Sequence, residues 1–141
     1  MTIQSVVLPL FVQVLLTFVV MFGMMYCRTS TLQRGETRFE DIALREPNWP
    51  TKATQFANSF ANQLELPILF YVLTILEILT RNADLIFVIL AWIFVATRML
   101  QAVIHVTNND VRLRGAFYGA GAIVLVIMWL IYMVRVLTPL P

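Results

Sequence analysis

The chain has 141 residues, 60% of them hydrophobic and 13% charged, with a net charge of +2 and a mean hydropathy of +0.80. A soluble domain carries roughly 45–50% apolar and about 25% charged residues, so composition excludes an ordinary water-soluble fold. It leaves a one-domain integral membrane protein with room for about four spans of roughly 20 residues, too weakly charged and too dispersed in its basic residues for a nucleic-acid partner.

The first span is expected at about 6–26. It is apolar except for Gln13 and Thr17, with Pro9 near its start, where proline is tolerated. Gly23 is a point at which another helix can approach closely. No charged region precedes this run and no small-residue cleavage site follows it, so it reads as a retained span rather than a signal peptide. Cys27 is the single cysteine, which excludes an intrachain disulfide. It reads as a small apolar residue at the span's end. Residues 28–52 form the long polar segment, with Arg28, Arg34, Arg38, Arg45 and Lys52 set against Glu36, Glu40, Asp41 and Glu46. Gly35, Pro47 and Pro50 interrupt it. It reads as an ordered loop on the membrane surface containing a short helical piece, and Trp49 suits the interface.

The second span is expected at about 54–80. Its first third is polar. Asn58, Asn62 and Glu65 stand at i, i+4 and i+7 and share a face of a continuous helix. Pro67 is expected to kink that helix. An intramembrane carboxylate is costly and marks a functional site by default. After the turn Arg81-Asn82-Ala83-Asp84, the third span runs over about 85–106. Arg98, Gln101, His105 and Asn109 follow at i, i+3, i+7 and i+11, again one helix face. Asn108-Asn109-Asp110 marks a turn, Arg112 and Arg114 follow it, and the fourth span is expected at about 116–137. Gly115-x-x-x-Gly119, with Gly121 and the neighbouring alanines, is a small-residue strip suited to close helix contact and to assembly with further copies. Thr138-Pro139-Leu140-Pro141 is a short tail.

Basic residues set the expected topology. The first and third connections hold Arg28, Arg34, Arg38, Arg45, Lys52, Arg112 and Arg114, against Arg81 and Arg135 on the other side. The positive-inside rule puts both polar connections in the cytoplasm and both termini on the non-cytoplasmic side. The polar faces of spans two and three, and Arg114, then lie at one depth.

Glu65 needs a cation or a donor, for which Arg98, His105 and Arg114 are the candidates. One reading is a polar network that holds helices together. The other is a pocket for an anionic or zwitterionic small molecule, with arginines on its carboxylates and Asn58, Asn62 and Gln101 on its amides. His105 is the one histidine and has no partner at metal-ligand spacing. There is no glycine-rich phosphate loop and no serine or cysteine nucleophile motif. Arg114 and Tyr118 are one turn apart. An arginine in a low-dielectric site stabilises a thiolate or a developing oxyanion, and Tyr118 can donate to the same sulfur or to a carboxylate. The alternative is an Arg/Tyr pair anchoring the helix at the interface. Small multidrug transporters also have four short spans, but their membrane glutamate lies in the first, which here has none.

Asn62-x-x-Glu65 with Pro67, Arg98-x-x-Gln101-x-x-x-His105 and Arg114-x-x-x-Tyr118 together resemble MAPEG, the membrane-associated proteins in eicosanoid and glutathione metabolism. The size, the four spans and the polar first loop extend the resemblance over nearly the whole chain, as a bacterial-type member. It implies an all-α membrane protein, a four-transmembrane-helix bundle assembling as a homotrimer in the lipid bilayer, here of a bacterial inner membrane. It also implies glutathione as co-substrate, bound between subunits near the cytoplasmic face. On this resemblance Asn62 and Glu65 contact glutathione. His105 stands where the family often has a tyrosine, Arg114 where it has the thiol-activating arginine, and Tyr118 where it has a ligand-contacting tyrosine. Arg28 would add a basic contact from the neighbouring subunit. Asn58, Arg98 and Gln101 complete the expected binding set. The implied activity is that of a glutathione transferase or peroxidase-like enzyme, its thiolate attacking a lipophilic small-molecule substrate. The alternative is a non-catalytic member with a structural or small-molecule-binding role. Three departures stand out: Asn58 where an arginine is usual, Gly115 where some members have serine, and a tighter spacing from Glu65 to Pro67.

Overall fold

Five α-helices make four passes of the chain in the computed structural model, which describes residues 1–138. They are α1 (Ile3–Gln33), α2 (Thr51–Gln63), α3 (Leu66–Leu79), α4 (Leu85–Val106) and α5 (Val111–Leu137). Among the described residues α1, α2 with α3, α4 and α5 are each long and apolar enough to cross a membrane. The expected tail lies outside the described residues from 139 onward.

Several helix boundaries have a local cause. The carboxylate of Asp84 accepts the Phe87 N–H at 2.9 Å and starts α4. That of Asp110 accepts the Arg112 and Leu113 N–H groups at 3.0 and 3.3 Å and starts α5. Aspartate is a favoured N-cap because its oxygen satisfies amides that have no partner within the helix. The Asp110 cap starts α5 five residues before the apolar run, so Arg112, Arg114 and Gly115 lie in its first turns. At the other extreme α1 continues past Tyr26 to Gln33, because a helix needs backbone hydrogen bonds rather than lipid. A rise of about 1.5 Å per residue makes its 31 residues about 46 Å long. It stops where Gly35 turns left-handed at φ +71°.

The second pass is broken rather than kinked. α2 ends at Gln63, Glu65 takes φ −96° and ψ −97°, and α3 starts at Leu66 with Pro67 in its first turn. Proline suits a helix start, where its missing N–H costs nothing. The polar segment after α1 folds on itself around a 3-10 turn at Phe39–Asp41. Thr37 donates to the Asn48 carbonyl at 3.2 Å, Asn48 donates to the Asp41 carbonyl at 2.5 Å, and the Arg28 guanidinium lies 5.0 Å from the Trp49 ring.

α4 packs against α1, α2 and α5, while α3 packs against α1 and α5. Phe70 of α3 meets Phe94 of α4 with ring centroids 4.9 Å apart, in a core with Leu73, Ala91, Val95, Leu125 and Met128. Gln13 of α1 donates to Gln63 of α2 at 2.8 Å, wholly buried. Two glycines act as spacers: a Cβ at Gly23 would overlap the Phe56 ring, and one at Gly121 would lie 2.7 Å from Thr97 Oγ1 and 3.0 Å from Arg98. Gly115 and Gly119 meet nothing within 4 Å, so the expected close-contact motif is not used inside the subunit. Alternating passes bring the ends of α1 and α4 together with the starts of α2 and α5, where Lys52 donates to the Val106 carbonyl.

Candidate functional site

At that end of the bundle a cavity of about 440 Å³ opens between α2, α4 and α5. Asn58, Ala61, Asn62, Glu65, Gln101, His105, Val111, Arg114, Gly115 and Tyr118 line it. Seven of the nine site residues expected from the sequence therefore meet in one space.

The helix break sets Glu65. It lies between α2 and α3, so the face shared with Asn58 and Asn62 does not come from unbroken helical spacing. Its carboxylate accepts a hydrogen bond from the Tyr118 hydroxyl at 3.3 Å. None of Arg98, His105 and Arg114, the expected partners, pairs with it.

Arg114 is held from two sides. Its Nη1 donates to Asn109 Oδ1 at 2.6 Å and to His105 Nε2 at 3.1 Å. Guanidinium nitrogens only donate, so His105 Nε2 is the accepting nitrogen and Nδ1 carries the proton. Asn62 stands 3.4 Å from Nδ1, and the scheme is consistent when the Asn62 amide oxygen faces that N–H. Both hydrogens of Arg114 Nη1 are thereby engaged. Among the described residues its Nη2 and Nε make no hydrogen bond. Asn109 reaches Arg114 because it lies beyond α4 in a left-handed conformation, φ +55°, which asparagine tolerates better than most residues. It is not the continuation of a helix face.

Two expected ligand residues lie elsewhere. Arg98 is fully buried and lies off the cavity wall. It donates to the Phe117 carbonyl at 3.3 Å, lies 5.0 Å from the Tyr118 ring and 5.7 Å from the Phe94 ring, and leaves Nε and Nη1 without partners. The space it needs is the space Gly121 vacates. It therefore backs Tyr118 instead of facing the cavity. Arg28 lines a neighbouring cavity of about 460 Å³ with Arg45, Glu46, Trp49 and Asn58. Asn58 is the wall common to both.

Gln101 lines the first cavity, and its Oε1 is buried without a donor. A buried amide oxygen left unpaired costs about 1–3 kcal/mol, and a ligand N–H would relieve it. The cavity thus offers one carboxylate, one guanidinium with free donors, a neutral imidazole held in one tautomer, a phenol and three side-chain amides. Among the described residues no group of three His, Cys, Asp or Glu side chains could hold a metal ion.

A second intramembrane carboxylate escaped the sequence reading. Glu77 of α3 is 1% exposed, at the opposite end of the bundle. The rule that singled out Glu65 applies equally to Glu77 within Leu76-Glu77-Ile78.

Compared with known proteins, residues 6–134 match the model of the MAPEG family. No curated protein and no solved structure gives a significant match.

Proposed function

From the chain's membership of the MAPEG family we propose a glutathione-dependent membrane transferase or peroxidase-like enzyme, with glutathione as co-substrate in the α2–α4–α5 cavity. One observation carries this reading: Glu65, Gln101, Arg114 and Tyr118 line a single space. Its chemistry suits the tripeptide. Glu65 would take the ammonium group, Gln101 Oε1 a peptide N–H, and Asn58 and Asn62 a carboxylate or carbonyl. Arg114 would turn its free Nη2 and Nε to the sulfur and favour the thiolate as the thiol proton passes to water in the open cavity. His105 and Asn109 would keep that guanidinium in place. The sulfur would then bond to an electrophilic carbon of a lipophilic substrate as the leaving group departs.

The excess of basic residues in the connections at this end supports a cytoplasmic cavity with both termini outside. A homotrimer would bring a neighbouring subunit's Arg28 towards the Asn58 side. A bacterial inner membrane is the setting that goes with this reading.

Conjugation of glutathione to a chlorinated aromatic by detergent-purified protein, with calorimetry of glutathione binding, tests the proposal. Turnover with saturable binding supports it, and the absence of both overturns it. A second reading, a non-catalytic binding protein on the same scaffold, is favoured by one observation. Asn58 leaves Arg114 as the one guanidinium on the cavity wall, while glutathione carries two carboxylates. Saturable binding without turnover selects that reading.

A further inference from the structure

Glu77 lies at the end of the bundle away from the glutathione cavity, among α1, α3, α4 and α5. No hydrogen bond reaches its carboxylate among the described residues, and Oε2 is closed to solvent. The nearby cation Arg135 is already committed: Nη2 binds Asp84 at 2.7 Å and Nη1 donates to the Asn82 carbonyl at 3.3 Å. On one side Glu77 borders a small void of about 10 Å³ with Arg135, Phe87 and Met128. On the other it borders an open cavity of about 370 Å³, lined also by Met1, Ile3, Val6, Ile78, Arg81 and Ala83; among the described residues the Met1 ammonium makes no ion pair with Glu77. A buried carboxylate without a donor is costly, and the open cavity is the side from which one can come.

The cavity has the character of a lipid site. Its walls are apolar along α1 and α3. It opens at the start of α1 and the end of α3, the part of a membrane-crossing helix that meets the headgroups. One carboxylate lies inside it and one guanidinium at its rim, for Arg81 is exposed and set in the turn after α3 at φ +56°. A ligand matching that order carries a cationic hydrogen-bond donor, an anionic group a few ångströms away, and an apolar tail.

We propose that this cavity binds the headgroup of a zwitterionic aminophospholipid, its primary ammonium on Glu77, its phosphate on Arg81 and its chains along Ile3 and Val6. A quaternary ammonium has no N–H to give, so choline lipids satisfy Arg81 but not Glu77. The site is independent of the glutathione cavity.

Lipid retention tests this. The purified protein is exchanged into nanodiscs of equimolar phosphatidylethanolamine and phosphatidylcholine, extracted gently, and its retained lipid counted by native mass spectrometry. The wild type is expected to retain the ethanolamine lipid about tenfold over the choline lipid, the preference one charge-assisted hydrogen bond confers. Glu77→Gln should abolish the preference, and Arg81→Gln should lower retention of both lipids. Should Glu77→Gln fail to fold, Ala83→Phe fills the cavity from the half-buried turn after α3 and should abolish retention. Soluble phosphoethanolamine separates the sources: competition at millimolar concentration makes the headgroup alone sufficient, and no competition shows that the chains are needed. Equal retention of the two lipids by the wild type, or a preference that survives Glu77→Gln or Ala83→Phe, overturns the proposal.

Discussion

Replacing Arg114 with methionine removes the one guanidinium on the wall of the proposed glutathione cavity while keeping similar length and apolar bulk. The substitution leaves His105 Nε2 and Asn109 Oδ1 without the donor that now holds them at 3.1 and 2.6 Å. It also changes the charge balance of the wall. Arg114 and Glu65 now cancel, and without Arg114 the wall is negative, facing a ligand that is itself a net anion. A charge-assisted hydrogen bond contributes about 1.5–3 kcal/mol, so losing one weakens binding about 10- to 150-fold. Arg114→Lys keeps the charge but loses the planar fork, and should fall between. Arg112→Met is the control, for Arg112 is exposed on the same helix and does not line the cavity. Titration calorimetry of detergent-purified variants gives the affinities, and the ultraviolet absorbance of bound thiolate reports the sulfur directly. Arg114→Met should lose both signals and Arg112→Met neither. Wild-type affinity in Arg114→Met, or an equal loss in Arg112→Met, would refute the reasoning.

Asn58→Arg restores a basic group on the wall and should tighten glutathione binding by about tenfold, at the low end of a charged hydrogen bond because the site is exposed; calorimetry reads it. Arg98→Met should change glutathione affinity less than threefold, about 0.6 kcal/mol, because the Arg98 side chain does not reach the cavity. Gly121→Val forces a side chain against Thr97 and Arg98 and should destabilise the α4–α5 contact by about 1–3 kcal/mol, whereas Gly119→Ala should be neutral; thermal unfolding in detergent compares them. Burial raises the Asp84 carboxyl, but its hydrogen bond from Arg135, the Phe87 amide and the Arg135 charge outweigh burial and hold it below the usual range. Its stabilising effect is therefore present above the ordinary aspartate range and lost as pH falls through the lowered value. The thermal advantage of wild type over Asp84→Asn, which keeps a good cap, should shrink on acidification.

Membrane class and the four passes were legible because composition and apolar run length report lipid directly. The third span's limits matched, since Asp84 and the turn at 108–110 bound it in the sequence as they do in the structure. The other ends drifted for one reason: apolar runs mark where lipid lies, while caps mark where helices stop. Asp110 therefore starts α5 early, and Gly35 lets α1 run on. Helical periodicity grouped Asn58 with Asn62 and His105 with Gln101. It failed at Glu65 and Asn109, because both lie past a helix end, where backbone conformation and not spacing aims the side chain. Arg98 was misplaced because periodicity gives a face but not a depth: Gly121 makes room for it behind Tyr118. The partner of Glu65 was misassigned because opposite charge outranked a phenol in the sequence reading. Glu77 needed no structure, only the rule already applied to Glu65.

The most direct test is a structure of the purified protein saturated with glutathione. The account predicts ligand density in the α2–α4–α5 cavity, with the ammonium on Glu65 and the sulfur beside Arg114 Nη2 and Nε. Density confined to the neighbouring Arg28–Arg45 cavity, or none between Glu65 and Arg114 at saturating ligand, would contradict it.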